Sequence, residues 1–168
     1  MSSEYYDRAG QPISRDEWVE TFDTDKMVAK TTVGNSDVST VYLGLNHSWG
    51  DGPPLIFESM IFGGARDQDQ YRYSTEEQAL AGHQKLVDEL EAERSAVARH
   101  VLWHFGDRAH GQQPGHFLAA LMTAYGLADS GNREKLRATF PDYGTAMDSV
   151  MNEPDGAQKL VEVAGVFL

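Results

Sequence analysis

The hydrophobic period of this chain changes at Ser74, and that change constrains the fold more than any other feature. Between Met27 and Ser74 lie short runs rich in β-branched and aromatic residues, "MVAKTTV", "DVSTVYLGL", "LIFESMIF" and "QYRYS", separated by turn formers. In "DVSTVYLGL", Ser39, Val41, Leu43 and Leu45 share one face, while Val38, Thr40, Tyr42 and Gly44 share the other. The turn "GNSD" separates the first two runs. Together they predict an antiparallel meander of four strands. From Ser74 onward the apolar residues recur at helical spacing. Ser74 with Glu77 predicts a capped helix start, and Leu80, Val87, Leu90, Val97 and Val101 predict one apolar stripe reaching about Phe105. The first half of that helix is expected to cover the sheet.

Two flanking regions complete the architecture. "YYDRAGQPI" reads as a short strand or turn, because Asp7 and Gly10 favour turns and Pro12 limits pairing. In "SRDEWVETF", Ser14 and Glu17 form a capping box, and Trp18, Val19 and Phe22 predict a short helix with an inward apolar face. "GDRAHGQQPG" (106–115) reads as a linker. Beyond it Pro114 suits a helix start, and Phe117, Leu118, Leu121, Met122 and Tyr125 form an apolar face. Asp129 or Ser130 caps a second helix that stops before Pro141. Tyr143, Met147, Val150, Leu160, Val161 and Ala164 mark two more. The expectation is an α+β protein. Residues 1–105 carry a four-stranded antiparallel sheet covered by helices, and residues 116–168 form a small C-terminal helical bundle.

Composition narrows the function classes. The chain of 168 residues has no cysteine, which excludes disulfides, thiol catalysis and sulfur-based zinc sites. No apolar run reaches the ~18–20 residues of a membrane span. The polar start "MSSEYYDRAG" lacks the basic and apolar regions of a signal peptide, so a cytoplasmic location is expected. The net charge is -12, with 14 acids against 6 bases in residues 1–80 and 12 against 8 in residues 81–168. Such a chain repels phosphate backbones, so direct nucleic-acid binding is not expected. Asp16, Glu17, Glu20, Asp23 and Asp25 are the dense cluster before the long helix. This acidity reads as a solvated surface or, more sharply, as a face that mimics DNA or meets a basic partner.

The candidate chemistry centres on "GLNHSWGDGPPLIFESMIFGG" (44–64). Glu58 lies mid-strand beside Ile56, Met60 and Phe62, so it must find a partner, reach a cleft or sit on an edge. His47 follows a strand end, and a His47–Glu58 acid–base pair requires the loop to fold back over the strand. Otherwise His47 bonds the loop backbone. Ser48 beside His47 is no dyad, and no G-x-S-x-G elbow, phosphate loop or H-E-x-x-H occurs. Trp49 and Asp51 are candidate binding residues of the same loop. A separate group, His100, His104, His110 and His116, has residue types that hold zinc, nickel or copper, set against a core histidine and a mobile linker as the plainer reading. No cofactor is indicated, and nothing sets an oligomeric state.

The segments "YYDRAGQPI", "VSTVYLGLNHSWGDGPPLIFESMIFGG" and "YRYSTEEQALAGH" together resemble a family of accessory proteins encoded by actinobacterial phages and prophages. The resemblance covers roughly residues 5–90. "PGHFLAALMTAYGLADSGNREKLRATFP", about residues 114–145, resembles a second small-protein pattern from such phages. These resemblances imply a phage accessory protein in a bacterial cytoplasm and bring no catalytic residues with them. The position before the loop histidine, often aspartate in the family, is Asn46 here, which counts against an Asp–His catalytic pair. The histidines at 100, 104, 110 and 116 lie outside the pattern. The function expected is protein–protein binding, with a host defence, replication or transcription protein as partner. The alternatives are a small hydrolase or metal-dependent enzyme using His47 and Glu58, and a minor virion component.

Overall fold

A computed structural model describes residues 4–22, 24, 26–48 and 52–165, with the side chains of Thr21 and Phe22 excepted. The chain opens with a hairpin of β1 (Tyr5–Tyr6) and β2 (Pro12–Ile13), followed by helix α1 (Arg15–Phe22). Strands β3 (Met27–Val33), β4 (Ser36–Tyr42), β5 (Phe57–Phe62) and β6 (Gln70–Tyr73) then form an antiparallel sheet in sequence order. Helices α2 (Glu76–His104), α3 (His116–Leu127), α4 (Ser130–Thr139), α5 (Pro141–Asn152) and α6 (Gly156–Gly165) complete an α+β fold. Two compact units divide the chain, Met1–Asp88 and Glu89–Leu168. The division falls inside α2.

In the first unit the period-two pattern decides the sheet. Val38, Thr40 and Tyr42 of β4 and Phe57, Ser59 and Ile61 of β5 are buried, while their alternate neighbours are partly solvated. A two-residue turn joins β3 to β4, with Gly34 at φ +60°. Such a turn needs glycine at a positive φ. The buried face carries a polar chain absent from the hydrophobic pattern. Ser59 Oγ meets Thr40 Oγ1 at 2.6 Å, Thr40 Oγ1 meets His83 Nδ1 at 2.8 Å, and His83 Nε2 meets Thr31 Oγ1 at 2.9 Å. The first part of α2 therefore covers the sheet through His83 and Ala79.

Its buried stripe is Ala79, His83, Leu86, Val87 and Leu90, whereas Leu80 is 46% exposed. Thr75 caps the helix by accepting from the Gln78 amide at 3.2 Å, one residue later than the Ser74 cap expected. In α1 the Ser14–Glu17 capping box forms in both directions. Val19, expected inside, is 54% exposed, while Trp18 anchors that helix by donating to Leu43 O.

The second unit packs Ala98, Val101 and Leu102 of α2 against Met122, Tyr125, Ala146, Met147, Leu160 and Ala164. The Arg99 guanidinium donates to the Ala164 carbonyl at 3.1 Å, satisfying an acceptor in the last turn of α6. The 106–115 stretch folds back on α2. Asp107 N donates to Leu102 O at 3.0 Å and Gly106 N to Trp103 O at 3.1 Å, a Schellman ending with Gly106 at φ +94°. Arg108 then lies 3.9 Å from the Trp103 ring centroid, and Gln112 N donates to Arg99 O at 3.0 Å. No helix among the described residues is long and apolar enough to cross a membrane.

Burial holds the His83 imidazole below its ordinary value of 6.5. A neutral ring serves the network fully, accepting at one nitrogen and donating at the other. The unfolded chain takes up a proton near pH 6.5 and the folded chain only below that. Stability is thus full above about pH 6.5 and declines as the pH falls through this window. Thermal melts followed by circular dichroism should show a falling midpoint from about pH 7 to 5. His83→Gln should flatten that slope and lower stability by roughly 1–3 kcal/mol at pH 7.

Candidate functional site

A concavity of the first unit lies where the N-terminal hairpin and α1 meet the end of β4. It encloses about 410 Å³ and is lined by Asp7, Arg8, Ile13, Glu17, Glu20, Thr24 and Tyr42. Local chemistry places each wall. Asp7 closes the hairpin, its Oδ1 accepting from Gln11 N at 2.8 Å. Glu17 is fixed by the capping box, and its hydrogen bonds to Ser14 hold its carboxyl below the usual range. Glu20 follows one helical turn later, so both carboxylates fall on one face. Arg8 is held by Glu76 in a two-pronged ion pair at 3.0 and 2.9 Å, and its guanidinium lies 5.8 Å from the Tyr42 ring centroid. Asp7, Glu17 and Glu20 thus line the same concavity as Ile13 and Tyr42.

Gly44 sets the position of these walls. Tyr6 N donates to Gly44 O at 2.8 Å, the Tyr42 hydroxyl donates to Tyr6 O, and Trp18 Nε1 donates to Leu43 O at 2.9 Å. Gly44 takes φ +65°, and a Cβ there would stand 2.6 Å from the Tyr42 hydroxyl and 2.7 Å from Trp18. The glycine is required both by its backbone conformation and by the two aromatic side chains seated on it.

Glu58 points from the partly solvated face of β5. It accepts from Arg72 Nε at 3.1 Å and Gln70 Nε2 at 2.6 Å, both on the neighbouring strand, and its side chain is 13% exposed. His47 lies near enough to sense this pair. Burial first, then the Arg72 guanidinium, lower its pKa, and Glu58 opposes them. No hydrogen bond joins His47 to Glu58 among the described residues. The His47 amide instead donates to Leu55 O at 3.1 Å, and Asn46 Oδ1 accepts from Ser48 N at 2.9 Å and Leu55 N at 3.1 Å. Asn46 thus clamps the loop base as an acceptor, a task an aspartate would perform equally. Trp49 and Asp51 lie outside the described residues.

The other histidines have separate neighbours. His100 Nδ1 meets the Tyr143 hydroxyl at 2.7 Å, and burial lowers the pKa of that imidazole. His104 stands edge-on to Phe105 at 5.3 Å, and His110 Nδ1 lies 2.9 Å from Asp107 Oδ2. His116 begins α3, exposed. Among the described residues no three His, Cys, Asp or Glu gather as a metal site. Tyr125 is buried, and that burial, followed by the Asp148 carboxylate, pushes its phenol up to about 12. It stays protonated at neutral pH and packs under Arg133, 5.7 Å from its ring centroid.

Sequence reading found the acidic cluster but not the cleft, since Asp7, Arg8 and Tyr42 join it only through the fold. His83 had one signal, its place beside Gly82. A Cβ on Gly82 would meet the Tyr73 hydroxyl at 2.3 Å, so the glycine lets that ring lie on α2. Comparison with protein-family models, curated proteins and solved structures gave no match.

Two substitutions separate the loop clamp from the ion pair. Asn46→Ala leaves two amides without their acceptor and should cost about 1–3 kcal/mol in urea unfolding, while Asn46→Asp should stay near wild type. Glu58→Gln keeps the hydrogen-bonding shape beside a partly solvated arginine and should cost about 1 kcal/mol or less in the same measurement.

Proposed function

We propose that this chain is a phage-encoded accessory protein that binds and modulates a host protein, engaging a basic patch of that partner. The observation that carries the reading is the cleft between the N-terminal hairpin, α1 and β4. Asp7, Glu17 and Glu20 stand over Ile13 and Tyr42. A lysine or arginine side chain matches this arrangement, with its apolar stem on the floor and its charge among the carboxylates. The net charge of -12 adds a long-range attraction that speeds encounter with a basic surface. The phage setting rests on the sequence segments that resemble phage accessory proteins, and a cytoplasmic site of action follows from that setting. Acid–base catalysis by His47 and Glu58 has less support, because the carboxylate is occupied by Arg72 and Gln70.

Affinity capture from actinobacterial lysate, read by mass spectrometry, tests the proposal. At about 50 mM salt the chain should retain one stoichiometric partner and lose most of it by about 0.5 M, as screened charge contacts do. The double variant Asp7→Asn/Glu20→Gln keeps the hairpin acceptor and removes two charges, and it should recover at least about tenfold less partner. No stoichiometric partner at low salt would overturn the binding reading. Equal recovery by the double variant would overturn the role of the cleft.

A further inference from the structure

Helix α3 is apolar on two faces, one buried in the second unit and the other largely exposed among the described residues. Leu121, Met122 and Tyr125 are buried in the second unit. Phe117, Ala120, Ala124 and Leu127 lie along another face, with Phe117 64% and Leu127 84% exposed. After His116 the helix has no ionisable side chain except the buried Tyr125. The polar residue beside this stripe, Thr123, donates its hydroxyl to Ala119 O at 2.9 Å, so that donor is satisfied within the helix. Phe140 extends the surface, its ring 5.8 Å from that of Phe117. A helix that is apolar all round is ordinarily covered all round.

We propose that the exposed face of α3 is covered by α3 of a second copy, in antiparallel register across a two-fold axis. The spacing of the stripe supports this occupant. Phe117 and Leu127 lie five residues either side of Met122, and Ala120 and Ala124 lie two residues either side. Antiparallel pairing centred there sets Phe117 of each copy against Leu127 of the other and brings the alanines together at the crossing. A two-fold interface needs this self-complementarity, since residue i must meet j while j meets i. Small residues at the crossing let the axes approach to about 8 Å.

Charge does not oppose this occupant at the contact itself. Two chains of net charge -12 repel at long range, but Phe117, Ala120, Ala124 and Leu127 carry no ionisable side chain. The buried area sets the strength. Two large and two small side chains per copy remove roughly 600–800 Å² in total, below the ~1,200 Å² of a durable complex. The dimer is therefore weak and concentration-dependent.

Sedimentation velocity on the full chain tests this. Wild type should be monomeric near 1 μM and shift towards dimer by several hundred micromolar. Leu127→Glu alters a side chain exposed in the monomer, so it should keep the wild-type circular dichroism spectrum and stay monomeric throughout. Phe117→Lys combined with Leu127→Glu sets lysine against glutamate twice in the antiparallel register and should restore association that ~0.5 M salt removes. A wild type that stays monomeric at all concentrations overturns the proposal. So does a dimer that Leu127→Glu leaves intact, or a double variant that fails to re-associate. None of these readouts involves the cleft, so the two proposals stand or fall separately.

Discussion

The cleft of the first unit depends on Trp18 lying against the backbone of Gly44. That contact fixes α1, and α1 carries Glu17 and Glu20 to the rim. The same glycine receives the Tyr6 amide, and the Tyr42 hydroxyl reaches back to the Tyr6 carbonyl, so the N-terminal hairpin is tied to the same point. An eight-residue helix is marginal by itself, and its tertiary anchor matters more than its propensity. Here the anchor is one indole: Trp18 donates to Leu43 O and lies 5.1 Å from the Tyr5 ring centroid. Gly44, at the start of the glycine-rich segment, is where separate parts of the chain are joined.

Charge is handled differently on the two sides of that joint. At the rim, the Arg8 guanidinium pairs with Glu76, and Asp7, Glu17 and Glu20 line the same concavity. On the sheet, Glu58 is balanced by Arg72 across a strand pair, so an acid in an apolar strand is accommodated by an ion pair. Inside, the sheet meets α2 through neutral groups. Hydroxyls of Thr31 and Thr40 bracket a neutral His83, and among the described residues no charged side chain is buried there.

Local rules were legible wherever one segment decides its own structure. The strand meander, the Ser14–Glu17 box and the Asp129 cap could be read directly from spacing, and Asp129 does accept from Asn132 N at 2.8 Å. Misreadings arose where packing chose among apolar residues. The α2 stripe runs through Ala79 and His83 rather than Leu80, because a small residue and a hydrogen-bonded ring fit the sheet better than a leucine. Phe117 and Val19 are likewise apolar in sequence and exposed in the fold. The candidate site was the least legible part. Its acids are obvious, but its floor and its arginine come from segments about 35 residues apart, brought together by Gly44.

The division of the chain within α2 limits how its parts can be exchanged. Most two-unit proteins can be recombined at a loop, since cutting there exposes few backbone groups. Here the boundary at Asp88 and Glu89 lies in hydrogen-bonded helix. A break at that point would strip intrahelical partners from about four carbonyls on one side and four amides on the other. Leu86 and Leu90, one turn apart, are both buried and stand on opposite sides of the boundary. Recombination that keeps the helix intact would therefore preserve this chain as one block or replace α2 whole.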